Sequence, residues 1–124
     1  MAKSISQYLE ESQNPPPKGN LSLLKKGKLK ADGSEQILVE HNDVGRISGY
    51  IDLSEMQPGD RTIIKQYIMV DGTYQKYADE AYENLQATPV IFVTPKETDK
   101  GLKVTLQQTA GFMRSYDNRF ILEA

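Results

Sequence analysis

Cysteine and tryptophan are absent from this chain of 124 residues, and histidine occurs once, as His41. The lack of cysteine excludes disulfides, thiolate nucleophiles and zinc sites that need sulfur. A single imidazole excludes a two-histidine metal site, and the sequence offers no Gly-x-Ser-x-Gly elbow or other placed nucleophile for His41 to activate. We therefore expect no catalytic residues, no metal and no cofactor, and we place His41 in a solvated turn.

Long apolar runs are also missing. No segment approaches the roughly 18 apolar residues needed to cross a bilayer, and the N-terminal sequence MAKSISQYLEES lacks the apolar core of a secretory signal. The length suits one domain and leaves little material to line a deep substrate cleft. The sequence therefore predicts a soluble protein without a membrane partner, and a binding or structural module rather than an enzyme.

Charge is spread unevenly along the chain. Residues 1–30 carry six lysines and two glutamates, while the remainder carries nine basic and fifteen acidic side chains. The only basic cluster contains Lys25, Lys26 and Lys28. Nucleic acid is a poor partner for it, because the net charge is −2 and no aromatic residue is interleaved to stack bases. We predict that these lysines contact another protein chain, the alternative being an edge strand protected by lysines.

The first 20 residues differ in pattern from the rest. Ile5, Tyr8 and Leu9 fall at i, i+3 and i+4, which predicts a short helix that needs a partner because it is too short to be stable alone. Three prolines at 15–17 then favour an extended conformation. We interpret residues 1–20 as an N-terminal arm, with Ile5, Tyr8 and Leu9 binding a partner.

Residues 21–124 show β-type patterns. In Leu102–Gln107 apolar and polar residues alternate, so the Leu102, Val104 and Leu106 side is expected in the core and the Lys103, Thr105 and Gln107 side in water. The segment 46–53 alternates in the same way. Its polar side includes Tyr50, which we expect to contact another chain because tyrosine suits interfaces.

The remaining strands are marked by turn residues and prolines. The run 62–70 is apolar on both sides and suits a central strand, followed by an Asp71-Gly72 hairpin turn and a partner strand at 73–77. Further strands are predicted at 36–41, 90–94, 115–122 and, more weakly, 26–30. Pro89 and Pro95 should bound the run 90–94, and 77–85 should be a strand end plus loop. About eight strands predict an all-β antiparallel β-sandwich or jelly roll over residues 21–124.

The stretches 28–40, 45–53 and 104–111 resemble small all-β virion structural proteins of tailed phages. This resemblance implies a capsid decoration (cement) protein of jelly-roll type, or a small tail or neck protein. As a decoration protein it would dock as a homo-oligomer, with a trimer favoured, on the major capsid or another virion protein and be tethered by its arm. Its location would be the virion, after synthesis in the host cytoplasm. The alternative function is a carbohydrate-binding or receptor-binding module that uses exposed tyrosines.

Overall fold

Eight β-strands make up the part of the chain that the computed structural model describes, residues 21–123. They are β1 (Leu21–Lys30), β2 (Gln36–His41), β3 (Gly45–Asp52), β4 (Arg61–Val70), β5 (Thr73–Glu83), β6 (Val90–Thr98), β7 (Leu102–Ala110) and β8 (Ser115–Glu123). The predicted all-β, eight-stranded antiparallel fold is confirmed. The predicted arm, with Ile5, Tyr8 and Leu9, lies outside the described residues. Within 21–123 there is no helix of the length and apolarity needed to cross a membrane.

The strands form two four-stranded sheets in the orders β1-β8-β3-β6 and β2-β7-β4-β5. The pairs β1 with β8, β2 with β7, β3 with β6 and β4 with β5 are all antiparallel and nested inside one another along the chain. The pairs β3 with β8 and β4 with β7 then join them into sheets. A long antiparallel ribbon wrapped in this way is a jelly roll, with two Greek keys.

Apolar side chains from both sheets fill the space between them. Alternation buries Leu102, Val104 and Leu106 on β7, as predicted, and Ile47 and Ile51 on β3. The other fully buried large side chains include Tyr116, Phe120, Leu38, Leu53 and Met56. The two layers therefore share one continuous core.

A buried hydrogen-bond network also joins the layers. The Tyr116 hydroxyl of β8 lies 2.7 Å from the Thr62 hydroxyl of β4 and donates to Oε1 of Gln108 on β7 at 2.9 Å. The amide nitrogen of Gln108 donates to the backbone oxygens of Ala110 and Phe112, at 2.9 and 2.6 Å. The network pairs the buried polar groups of Thr62, Gln108 and Tyr116 and fixes the loop between β7 and β8.

Three local predictions need correction. Thr105 is 2% exposed rather than in water, because it lies under the side chain of Glu35. The segment from Tyr77 to Glu83 is strand, since β5 pairs with β4 as far as Arg61. Pro95 does not end β6, which continues to Thr98. β6 is an edge strand with an irregular register near Ser48, and proline is tolerated in such positions.

Two tight places in the fold require glycine or a turn former. The hairpin between β4 and β5 turns through Asp71 (φ 51°) and Gly72 (φ 80°), the positive-φ pair that a type I′ turn needs. Gly49 on β3 faces Phe120 across the pair with β8, and a Cβ there would lie 2.3 Å from the carbonyl oxygen of Arg119. Gly49 therefore lets β3 and the Phe120 ring approach closely.

Candidate functional site

A row of four side chains crosses the outer face of the sheet β1-β8-β3-β6. Lys26 of β1 is paired with Arg119 of β8, Arg119 with Tyr50 of β3, and Tyr50 with Phe92 of β6. Directly paired residues of adjacent strands point to the same side of a sheet. This side is the one opposite to Ile51 and Phe120, so the row lies on the outer surface.

The centre of this surface is apolar. Phe92 is 77% exposed, and its ring meets that of Tyr50 edge-on, with centroids 6.2 Å apart and planes at 68°. Leu23, 57% exposed, is paired with Ile121 in the next row. An open depression of about 500 Å³ lies over this area and is lined mainly by apolar atoms of Ser48, Tyr50, Phe92, Thr94, Arg119 and Ile121. We call the surface formed by Leu23, Lys26, Tyr50, Phe92, Arg119 and Ile121 the Tyr50 face.

The charge on the Tyr50 face is positive. Among residues 21–123, Lys26 and Arg119 take part in no ion pair. Lys28, further along β1, has carboxylates 3.9 Å away on both Glu55 and Asp117. Neither cation beside the apolar centre thus has an ion-pair partner among residues 21–123, whereas Lys28 does.

The structure brings together two of the predicted contact residues and separates the others. Tyr50 and Lys26 lie in one row, and Lys28 lies on the same side of β1, held between acidic groups. Lys25 is paired with Phe120, so its side chain is directed to the inner side of the sheet, where burial lowers the pKa of its amine. Whether these residues bind a partner stays a prediction.

Sequence reasoning missed Phe92 and Arg119. The run Val90-Ile91-Phe92-Val93 is apolar at every position, so alternation could not tell which side chain faces out. Arg119 lies in a segment of mixed polarity whose register against β3 depends on the tertiary fold. Pro89 and Pro95 were the available signal, because proline beside or within a strand marks an edge strand.

The outer face of the other sheet carries a polar cluster around Glu35. Its Oε2 accepts hydrogen bonds from the hydroxyls of Tyr67, at 2.5 Å, and Thr105, at 2.6 Å. The amine of Lys65 lies 3.7 Å from Oε1. Burial raises the pKa of the Glu35 carboxyl, but the two hydrogen bonds and the nearby lysines outweigh it and leave the pKa lowered.

Two tyrosines of this cluster enclose a lysine. The amine of Lys103 lies 4.7 Å from the ring centroids of both Tyr67 and Tyr74, and the Tyr74 hydroxyl donates to Oδ1 of Asn42 at 2.7 Å. Burial, reinforced by Glu35 for Tyr67 and by Glu40 for Tyr74, raises the pKa of each phenol to about 12. The cluster satisfies its own charges and hydrogen bonds, so its evident role is to stabilise the sheet.

Groups for catalysis or metal binding are sparse in the described chain. No set of three or more His, Asp or Glu side chains among residues 21–123 is arranged to hold a metal ion. His41 ends β2, and its Nε2 lies 3.3 Å from the carbonyl oxygen of Val44. The Tyr50 face is therefore the surface that we take as the candidate functional site.

Comparison with known proteins identifies the fold. No protein-family model and no curated protein sequence matches the chain. Among solved structures, it is similar to VP2 of infectious bursal disease virus in a subviral particle, with TM-score 0.50 and 12% identity over 88% of this chain. It is also similar to the chain of T=1 particles derived from that virus, with TM-score 0.50 and 14% identity over 88% of this chain.

These similarities concern fold alone, at identities this low. They cover 32% and 31% of the two viral chains, so this chain spans about a third of the length of the proteins it matches. The jelly roll described above is thus similar to part of a viral capsid protein. Both matches come from an animal virus, and the resemblance to tailed-phage proteins stays a prediction.

Proposed function

We propose that this protein is a virion structural protein of the capsid decoration type, without enzymatic activity, that docks as a homo-oligomer on a viral shell. The observation that carries the proposal is the Tyr50 face, an open apolar surface with two cations that form no ion pair within residues 21–123. The jelly-roll fold, similar to part of a capsid protein, supports it. The arm at residues 1–20, including Ile5, Tyr8 and Leu9, is proposed as a tether to a neighbouring virion protein.

The shape and chemistry of the Tyr50 face suit a protein partner. Contiguous apolar surface on a soluble domain marks an interaction site, and aromatic and arginine side chains dominate the binding energy of protein interfaces. Phe92, Tyr50 and Arg119 supply those residue types on one rigid sheet. The face is broad and open, which favours docking of another surface over capture of a small molecule.

Carbohydrate or receptor binding is the second candidate. The Tyr50–Phe92 aromatic pair, with the hydroxyls of Ser48 and Thr94 beside it, is the observation that favours this function. Tyr67 and Tyr74 on the other sheet are less suitable for stacking on a sugar, because the amine of Lys103 lies over both rings.

Cosedimentation with purified viral shells tests the proposal. Phe92→Ser should weaken shell binding about tenfold or more, since it removes an exposed anchor without opening the core. Phe112→Ser is the matched control, because Phe112 is 81% exposed in the loop between β7 and β8, away from the Tyr50 face. Equal binding by Phe92→Ser and the native protein would contradict the proposal. Saturable binding to a glycan array, lost in Phe92→Ser, would support the second candidate instead.

A further inference from the structure

The Tyr50 face sets chemical requirements for whatever covers it. Its apolar centre, Tyr50 with Phe92, calls for apolar side chains, and Lys26 and Arg119 beside it call for carboxylates. Opposite charges across an interface favour association, whereas like charges placed against each other disfavour it. The same face of a second copy is therefore a poor occupant, because it would bring a second Lys26 and Arg119 towards the first pair.

One segment of the chain itself has the required composition. Residues 5–11 contain the apolar Ile5, Tyr8 and Leu9 and end in Glu10 and Glu11. These two glutamates are the only acidic residues among the first 30, whose other charged side chains are all lysines. Apolar groups followed directly by two carboxylates complement an apolar surface bordered by two cations.

The connection between this segment and the sheet allows it to reach a neighbouring molecule. Residues 12–20 span up to about 30 Å when extended, and prolines 15–17 favour an extended course. β1, which they lead into, is itself an edge strand of the sheet that carries the Tyr50 face. Because prolines 15–17 favour an extended course, we expect the segment to reach a face on the next molecule more readily than to turn back onto its own.

We propose that residues 5–11 of one copy dock on the Tyr50 face of a neighbouring copy. Ile5, Tyr8 and Leu9 cover the Tyr50–Phe92 pair, and Glu10 and Glu11 lie against Lys26 and Arg119. This inference rests on the proposed function, in which copies sit side by side on a shell. It assigns the Tyr50 face to the contact between neighbouring copies, so weaker shell binding by Phe92→Ser would follow from loss of that contact.

Charge reversal in two full-length chains provides the test. The first carries Glu10→Lys and Glu11→Lys, so its arm is basic. The second carries Lys26→Glu and Arg119→Glu, so its Tyr50 face is acidic. Each alone should self-associate at least tenfold more weakly than the native protein in sedimentation velocity, because like charges then meet. An equimolar mixture should associate again, since the basic arm of the first fits the acidic face of the second.

Lys100→Glu is the control: in the turn between β6 and β7, away from the face, it makes one of the two charge reversals of the second chain and should leave association unchanged. Circular dichroism should show all chains folded. Failure of the mixture to associate would overturn the inference. A native protein that stays monomeric at about 200 μM would also overturn it, because the arm would then dock within its own molecule or on another partner. These measurements use the protein alone. Self-association can therefore be absent while shell binding is present, and shell binding can be absent while self-association is present.

Discussion

Asp60 shows how one residue fixes an end of the sandwich. It is 2% exposed, its Oδ2 accepts a hydrogen bond from Nε of Arg114 at 2.7 Å, and the same oxygen accepts the backbone N–H of Gln57 at 2.9 Å. Burial raises the pKa of its carboxyl, but the bonds from Arg114 and Gln57 outweigh this and leave it lowered. Asp60 therefore joins the loop before β4 to the loop before β8.

We predict that Asp60→Asn lowers the free energy of unfolding by about 3 kcal/mol, because it removes the charge opposite a partly buried guanidinium. Urea unfolding measures the effect. Asp117→Asn is the control, since the contact of Asp117 with Lys28 is long and exposed, and it should change stability by less than about 0.5 kcal/mol. A loss equal in both variants would show that the Asp60 pair is no stronger than a surface contact.

At the scale of the element, the close approach of strands β3 and β8 depends on Gly49, which has no Cβ. Gly49 has the carbonyl oxygen of Arg119 and the ring of Phe120 where a Cβ would stand, at 2.3 and 2.5 Å. Neither neighbour can withdraw easily, because one is backbone in a central strand and the other is a fully buried ring. The same pair of strands carries Tyr50 and Arg119 on its outer side. The strands that make this core contact therefore also position part of the candidate site.

Gly49→Ala should accordingly destabilise the fold by about 1–3 kcal/mol through overpacking. It should also weaken shell binding, because β3 must shift beneath Tyr50. Ser48→Ala, one residue away on the outer side, adds no atoms to the core and serves as the comparison in thermal unfolding. Unaltered stability in Gly49→Ala would mean that the two strands can separate without cost.

At the scale of the whole molecule, stability should depend on pH at both ends of the range. The lowered pKa values of Asp60 and Glu35 contribute stability that is present above their unfolded values, near 4, and is lost as the pH falls below them. The raised pKa values of Tyr67 and Tyr74 contribute stability that is present below pH 10 and is lost as the pH rises towards about 12.

We therefore expect the free energy of unfolding in urea to be nearly constant between about pH 5 and 9 and to decline on either side. Tyr67→Phe should reduce the alkaline decline, because it removes one of the phenols whose pKa the fold raises. The same alkaline decline in Tyr67→Phe and the native protein would contradict the assignment.

The β pattern and the central position of β4 could be predicted from sequence because they depend on local alternation, apolar runs and turn residues. Tyr50 was placed on the outer side for the same reason. The strand order could not be predicted, since it depends on pairings such as β1 with β8 that join opposite ends of the described chain. Thr105 was expected in water because nothing in its own strand shows that Glu35 covers it.

The nesting of the strand pairs has a kinetic consequence. Among the paired strands of residues 21–123, only β4 and β5 are joined by a tight turn. Each further pair encloses the ones inside it, so a contact between β1 and β8 must close a loop containing most of the chain. Loop closure of that length costs entropy before the contact returns any stabilisation, and all-β folds with such distant contacts fold in milliseconds to seconds. We expect assembly to begin at the Asp71-Gly72 hairpin and to end with the sheet that carries the Tyr50 face. A newly made chain would thus complete the Tyr50 face last, together with the core side chains that the same sheet supplies.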